Sequence, residues 1–278
     1  MAAPFDPTSY TADAKVNWNS AAESYDRISS ELFPPITSAF LAFAQLRPGQ
    51  LVLDVACGPG TLTTAAAKAV GASGRVVGVD LSPGMLKLAM SRAAEQHLEY
   101  REMDAQELDL PNDLFNVVLC QLGLMLFARP EVALKEMVRV CKKGGAIACL
   151  VQGDPERMVF TSLVMKTLFK HAPELTQSGA PNLYAFAPVG LLDQALAQAG
   201  LGQILSRRLA GTFSFNSPQE YWAMMTSGAG RTGALLRSLP EDKRRVVEQD
   251  VLEQASRYAV DDRLNIPYEV VMAKGVKP

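Results

Sequence analysis

The stretch Leu51-Val52-Leu53-Asp54-Val55-Ala56-Cys57-Gly58-Pro59-Gly60-Thr61-Leu62-Thr63-Thr64 decides the fold. Its apolar run, Leu51 to Leu53 with Val55 beyond an acid, reads as a buried parallel strand. Cys57-Gly58-Pro59-Gly60 is a tight turn. Thr61 or Thr63 is expected to cap a helix that runs through Ala65-Ala66-Ala67 to about Val70. Strand, glycine turn and helix make the first half of a nucleotide-binding βαβ unit. Gly58 and Gly60 let backbone approach a ligand where a Cβ would collide. The helix N-terminus adds free N–H groups and partial positive charge.

The kind of nucleotide follows from what the turn lacks. A dinucleotide site wants G-x-G-x-x-G, but Thr63 holds the third place, and Asp54 sits inside the strand end where such a site needs no acid. Both features disfavour a nicotinamide dehydrogenase. A P-loop is excluded, because no Gly-Lys-Ser/Thr follows. The second strand, Arg75 to Asp80, ends on an acid twenty residues after Gly60. At that spacing a strand-tip carboxylate accepts from both ribose hydroxyls, one oxygen for each. Leu81 then flanks the adenine. Ser82 caps the next helix, with Pro83 at its first position, and the helix is expected to continue to about Gln96.

The pattern Asp54-x-x-Cys57-Gly58-x-Gly60 resembles the first motif of class I S-adenosylmethionine (SAM) methyltransferases. Val79-Asp80-Leu81-Ser82-x-x-Met85-Leu86 resembles the second motif of that family. Glu136-Met137-Val138-Arg139-Val140-Cys141-Lys142-Lys143-Gly144-Gly145 resembles a third, architectural phrase, with Lys143 in place of the usual proline. The match is specific over residues 50–150 and points to the ubiquinone/menaquinone-biosynthesis-like branch (methyltransferase type 11).

The resemblance implies an α/β fold: a Rossmann-like sheet of seven strands, six parallel and the last antiparallel between the fifth and sixth, flanked by helices, with a mainly helical lid. It implies SAM as cofactor, held by Tyr25, Asp54, Ala56, Gly58, Gly60, Asp80, Leu81, Met85, Asp104, Ala105 and Gln121. In that scheme Asp104 accepts from the adenine amine and the Ala105 amide donates to a ring nitrogen. Tyr25, and by the same likeness Trp18, covers the cofactor. Gln121, at the carboxyl end of the central strand, lies beside its methionine part or the acceptor.

The remaining chain divides around that core. Residues 1–46 read as N-terminal cap helices, irregular up to about residue 20, with Phe33-Pro34-Pro35 as a break. Residues 47–152, 186–210 and 263–278 form the SAM-binding core, with a sixth strand over Leu201 to Leu209. Residues 153–185 and 211–262 form the lid and acceptor-binding insertions, and Thr212 to Phe215 read as a separate extended piece.

Formal charge is −2 and 48% of residues are hydrophobic, so the chain can bury a large core and shows no basic bias toward nucleic acid. Cys57, Cys120, Cys141 and Cys149 are scattered, which fits reduced thiols in a cytoplasmic protein. No metal-ligand cluster is expected. The polar N-terminus is not a signal peptide, and no apolar run reaches membrane-spanning length. The expected reaction is SN2 methyl transfer to a small organic acceptor, by a monomer or homodimer. The alternative is a SAM-binding protein without transferase activity, a regulator or scaffold. If the acceptor must lose a proton, His171 is the candidate base, with Asp154, Glu156 and Tyr184 similarly placed on the lid.

Overall fold

The computed structural model describes residues 5–93, 95, 97–176, 179–228 and 230–278. Helix α1 (Pro7–Glu31) opens the chain, with Pro7 at its first position and the Asp6 carboxylate accepting from the Thr8 and Ser9 amides. The irregular segment expected up to residue 20 is therefore helical from Pro7 onward. A helix rich in small polar residues owes its stability to what it packs on.

Next come α2 (Pro34–Ala44), β1 (Leu51–Val55), α3 (Thr61–Val70), β2 (Arg75–Asp80), α4 (Pro83–Arg92), β3 (Leu98–Glu102) and β4 (Phe115–Gln121). They are followed by α5 (Pro130–Val140), β5 (Cys141–Gln152), α6 (Val159–His171), α7 (Leu191–Gln198) and β6 (Gly202–Phe215). The chain ends with α8 (Pro218–Gly228), α9 (Arg231–Ser238), α10 (Glu241–Ser256), β7 (Ala259–Val260) and β8 (Arg263–Val276).

The strand order is β3-β2-β1-β4-β5-β8-β6. β8 runs antiparallel to both its neighbours, so β6 points the same way as the five parallel strands. This is the expected arrangement of six parallel strands and one reversed. The two-residue β7, paired only with β8, adds to it. β6 pairs with β8 from Gly202 opposite Val276, through a register shift before Leu205, to Phe215 opposite Leu264, so the strand and the extended piece are a single element. The helix expected to reach Gln96, a residue outside the described set, ends at Arg92.

β1 lies between β2 and β4, so the chain leaves it first toward β2 and β3 and then returns on its other side. That reversal is the topological switch, and the crevice beyond the carboxyl ends of β1 and β4 is where such sheets take ligands. Val52, Leu53 and Val55 of β1 and Val118, Leu119 and Cys120 of β4 are fully buried, as strands covered on both faces must be. Asn116 accepts the Leu51 amide at 2.9 Å and ties the starts of these two strands together. Helices α6, α8, α9 and α10 pack on one another, and the Tyr221 hydroxyl donates to the Phe160 carbonyl at 2.7 Å.

Candidate active site

Strand register brings the predicted acids together. Asp54 of β1 is level with Gly78 of β2 and Leu119 of β4. Asp80 and Gln121 lie two residues beyond those partners, so with the period of two all three side chains belong to one face at the carboxyl edge. Asp80 is in turn level with Glu102 of β3, and Asp104 follows two residues later. A cleft open to solvent is lined by Asp54, Asp80, Asp104 and Gln121 together with Tyr25, Ala56, Gly58, Leu81, Met85 and Ala105. Gly60, in the same turn, packs against the Tyr100 ring behind it.

The turn floor is built from left-handed backbone. Ala56, Gly58 and Gly60 have φ of 57°, 55° and 83°. Ala56 and Leu122, whose φ is 59°, are non-glycine residues in that region at the ends of β1 and β4, and both face the cleft. Such strain gathers at ligand sites. The N-cap of α3 is Gly60, with no side-chain capping bond, not Thr61 or Thr63 as expected. Thr63 is one turn too deep, and its hydroxyl donates to Asp54 Oδ2 at 2.7 Å instead. The first amides of α3 therefore keep no side-chain partner, as an anion site at a helix start requires.

Asp80 is held by backbone: the Gly58 amide donates to Oδ2 at 2.8 Å and the Ser82 amide to Oδ1 at 2.9 Å. Burial raises its pKa, and those amides oppose the shift. Burial also pushes Asp54 up to about 7; the Thr63 bond opposes this and the Asp80 charge adds to it. The Asp104 carboxylate accepts the Gln106 amide at 2.8 Å. Tyr25 stays a phenol, its pKa raised by burial and by Asp80. Ser82 Oγ accepts the Met85 amide at 3.3 Å, the cap expected for α4.

Helix α1 forms the far wall. Tyr10, Thr11, Ala14, Trp18, Tyr25 and Ser29 all line the cleft from it. The Trp18 and Tyr25 rings meet edge-on at 5.1 Å, and Tyr25 lies 3.7 Å from where a Gly58 Cβ would stand. The helix is tied down by a bidentate Asp26–Arg92 ion pair, by Lys15 to Glu102 at 2.5 Å and by the Gly84 amide donating to Asn19. Sequence reasoning missed Tyr10, Thr11, Ala14, Ser29, Phe33, Met103, Gln106 and the loop Leu126 to Ala128. The Asp6-Pro7 start signal and the spacing 11, 14, 18, 25, 29 would have found the α1 set.

The candidate base does not reach this site. His171 Nε2 lies 2.7 Å from Asp250 on α10, away from the cleft lining. Asp154 holds the Glu156 amide, Glu156 pairs with Lys166, and the Tyr184 hydroxyl lies 3.0 Å from Thr161, all outside the lining. Among the described residues that line the cleft there is no lysine, arginine or histidine.

A family model described as a methyltransferase domain matches residues 52–145, the span from β1 to the start of β5. About a third of the chain is thus similar to a methyltransferase domain. Over 139 residues it is 36% identical to the ubiquinone/menaquinone biosynthesis C-methyltransferase of Burkholderia vietnamiensis, covering 48% of this chain and 57% of that protein. Over 132 residues it is 37% identical to an uncharacterized protein of Mycobacterium tuberculosis, covering 47% of each. The chain thus spans about half the length of the curated relatives it matches. Among solved structures, phosphoethanolamine N-methyltransferase 2 of Haemonchus contortus in complex with SAM shares the fold, with a TM-score of 0.59 at 17% identity over 92% of this chain and 56% of that one.

A class I methyltransferase domain takes its methyl group from SAM. The residues present fit that group: Asp54 Oδ1 and Gln121 Oε1 are buried acceptors without a partner among the described residues, beside the Gly58 turn that lines the cleft. A ligand with hydrogen-bond donors completes such atoms.

Proposed function

We propose that the protein transfers the SAM methyl group to a small organic acceptor. The observation that carries this reading is the convergence of Asp54, Asp80 and Asp104 from three neighbouring strand ends on one cleft floored by the Gly58–Gly60 turn. In this reading Asp80 accepts the ribose hydroxyls, while Asp104 and the Ala105 amide read the adenine edge. Leu81 and Met85 pack against the base. Ala56, Gly58 and Gly60 bring backbone to the amino-acid chain, Asp54 and Gln121 face its ammonium group, and Tyr25 covers it.

When bound, SAM supplies an electrophilic methyl group whose leaving group is a neutral thioether. The protein therefore has little developing charge to stabilise. Its contribution is to bind, orient and exclude water, and orientation alone reaches about 7–11 kcal/mol in favourable intramolecular cases. The walls left for an acceptor, Trp18, Phe33, Leu126 and Phe127, are apolar and aromatic. They favour a small organic molecule over nucleic acid, as does the formal charge of −2. The four cysteines are all buried and free, which supports a cytoplasmic setting. Either a monomer or a homodimer is compatible with the site, because one chain supplies every residue named.

The test is incubation of the protein with SAM and a panel of small acceptors, followed by mass detection of demethylated cofactor and of a product heavier by one methyl group. Cofactor binding without turnover across all acceptor classes would favour a non-catalytic role.

A further inference from the structure

The second cap helix reaches into the site through one side chain. Thr37 of α2 is 3% exposed and lies outside every motif the sequence offers. Gln121 Nε2 donates to Thr37 Oγ1 at 3.1 Å, across 84 residues of chain. That bond fixes the plane of the Gln121 amide. With the nitrogen turned to α2, Oε1 is left on the other side, shut from solvent and without a partner. Asp54 Oδ1 is in the same state, because Thr63 occupies only Oδ2. The two residues lie on the same face of adjacent parallel strands, and both are among those that line the cleft. The described lining residues include no lysine, arginine or histidine to donate to them.

Two buried acceptors with no donor of their own are costly in a low-dielectric site, and a ligand ammonium group satisfies both. We propose that Thr37 is a positioning residue: it orients the Gln121 amide so that Oε1 and Asp54 Oδ1 together receive the ammonium group of the cofactor's amino-acid chain. This rests on the cofactor reading above. It gives α2 a role in cofactor recognition, and it makes the amino-acid half of the ligand, not the nucleoside half, sensitive to a residue on the cap.

The experiment is calorimetric titration of the full chain with two probes. S-adenosylhomocysteine carries the ammonium group, and 5′-methylthioadenosine keeps the nucleoside and lacks the amino-acid chain. In Thr37→Val, which keeps the shape and loses the hydroxyl, S-adenosylhomocysteine should bind about tenfold more weakly, the scale of one hydrogen bond to a charged group. Methylthioadenosine should stay within about twofold, showing that the fold and nucleoside subsite are intact. Thr37→Ser should restore wild-type affinity. Gln121→Leu should show the same ligand-selective loss, and adding Thr37→Val to it should cost nothing more, as coupled residues require. An unchanged affinity in Thr37→Val, or an equal loss for both probes, overturns the positioning role while leaving the cofactor reading in place. Wild type that binds neither probe overturns the cofactor reading itself.

Discussion

Thr63 donates its hydroxyl to Asp54 Oδ2 at 2.7 Å inside the sheet–helix interface, leaving Oδ1 of a fully buried carboxyl group without a partner. This half-satisfied acid sits at the end of β1, where the methyltransferase motif places it.

Its pKa of about 7 has a consequence for stability. A carboxyl group whose folded pKa lies above its ordinary value of 3.8 holds its proton more tightly when folded. Its contribution is complete below pH about 4, declines as pH rises through about 7, and is constant above that. Wild type should therefore lose about 2 kcal/mol between pH 5 and pH 7 relative to Asp54→Asn, which cannot titrate there. Urea denaturation of both proteins across that range checks it, and parallel stability curves would contradict it.

His171 stands outside the cleft lining and is bonded to α10. Its ring bonds Asp250, and Lys170 and then His171 hold that carboxyl down at about 2. His171→Ala should leave SAM affinity within about twofold and lower stability by at most about 1 kcal/mol, as for a partly exposed pair. The Asp250 contribution runs opposite to that of Asp54: it is complete above pH about 4 and fades as pH falls toward 2. A loss of methyl transfer in His171→Ala with unchanged SAM binding would restore it as a base.

Two glycines separate backbone strain from collision. Gly60 and Gly71 both have left-handed φ, 83° and 67°. A Cβ on Gly71 meets nothing within 4 Å, whereas on Gly60 it would run into the Tyr100 hydroxyl and stand 3.1 Å from Ala89 Cβ. Gly71→Ala, at φ 67° and ψ −179°, should cost about 1–3 kcal/mol for conformation alone. Gly60→Ala, in the left-handed helical region, should cost about 1–2 kcal/mol for conformation and at least about 1 kcal/mol more for overpacking. It should also weaken SAM binding, because Gly60 closes the turn under the cleft. Thermal melts and titration of both variants check the difference.

The core of this account was legible because its signals are local. Asp80 and Asp104 could be placed at the cleft from the sequence because strand ends and turns set their positions within a few residues of a motif. The six-plus-one sheet followed from the same run of strands and helices. What stayed hidden depends on contacts across the chain. Thr37 meets Gln121 across 84 residues and His171 meets Asp250 across 79, and neither pairing has a spacing to read. The first turns of α1 look like loop because their residues are small and polar. They are helical because Asp6 and Pro7 start the helix and its other face packs on α4 and α8. Thr63 looked like a cap by residue type, but the turn closes at Gly60 and leaves its hydroxyl for Asp54.

The most direct test of the central claim is calorimetric titration of SAM into wild type and Asp80→Ala. Asp80 is the acid whose two oxygens, now held by the Gly58 and Ser82 amides, face the ribose in this account. The prediction is micromolar-range binding to wild type, weakened at least about 100-fold in the variant, the scale of two lost hydrogen bonds to a charged group. Equal affinity in the two proteins, or no binding to folded wild type, would contradict it.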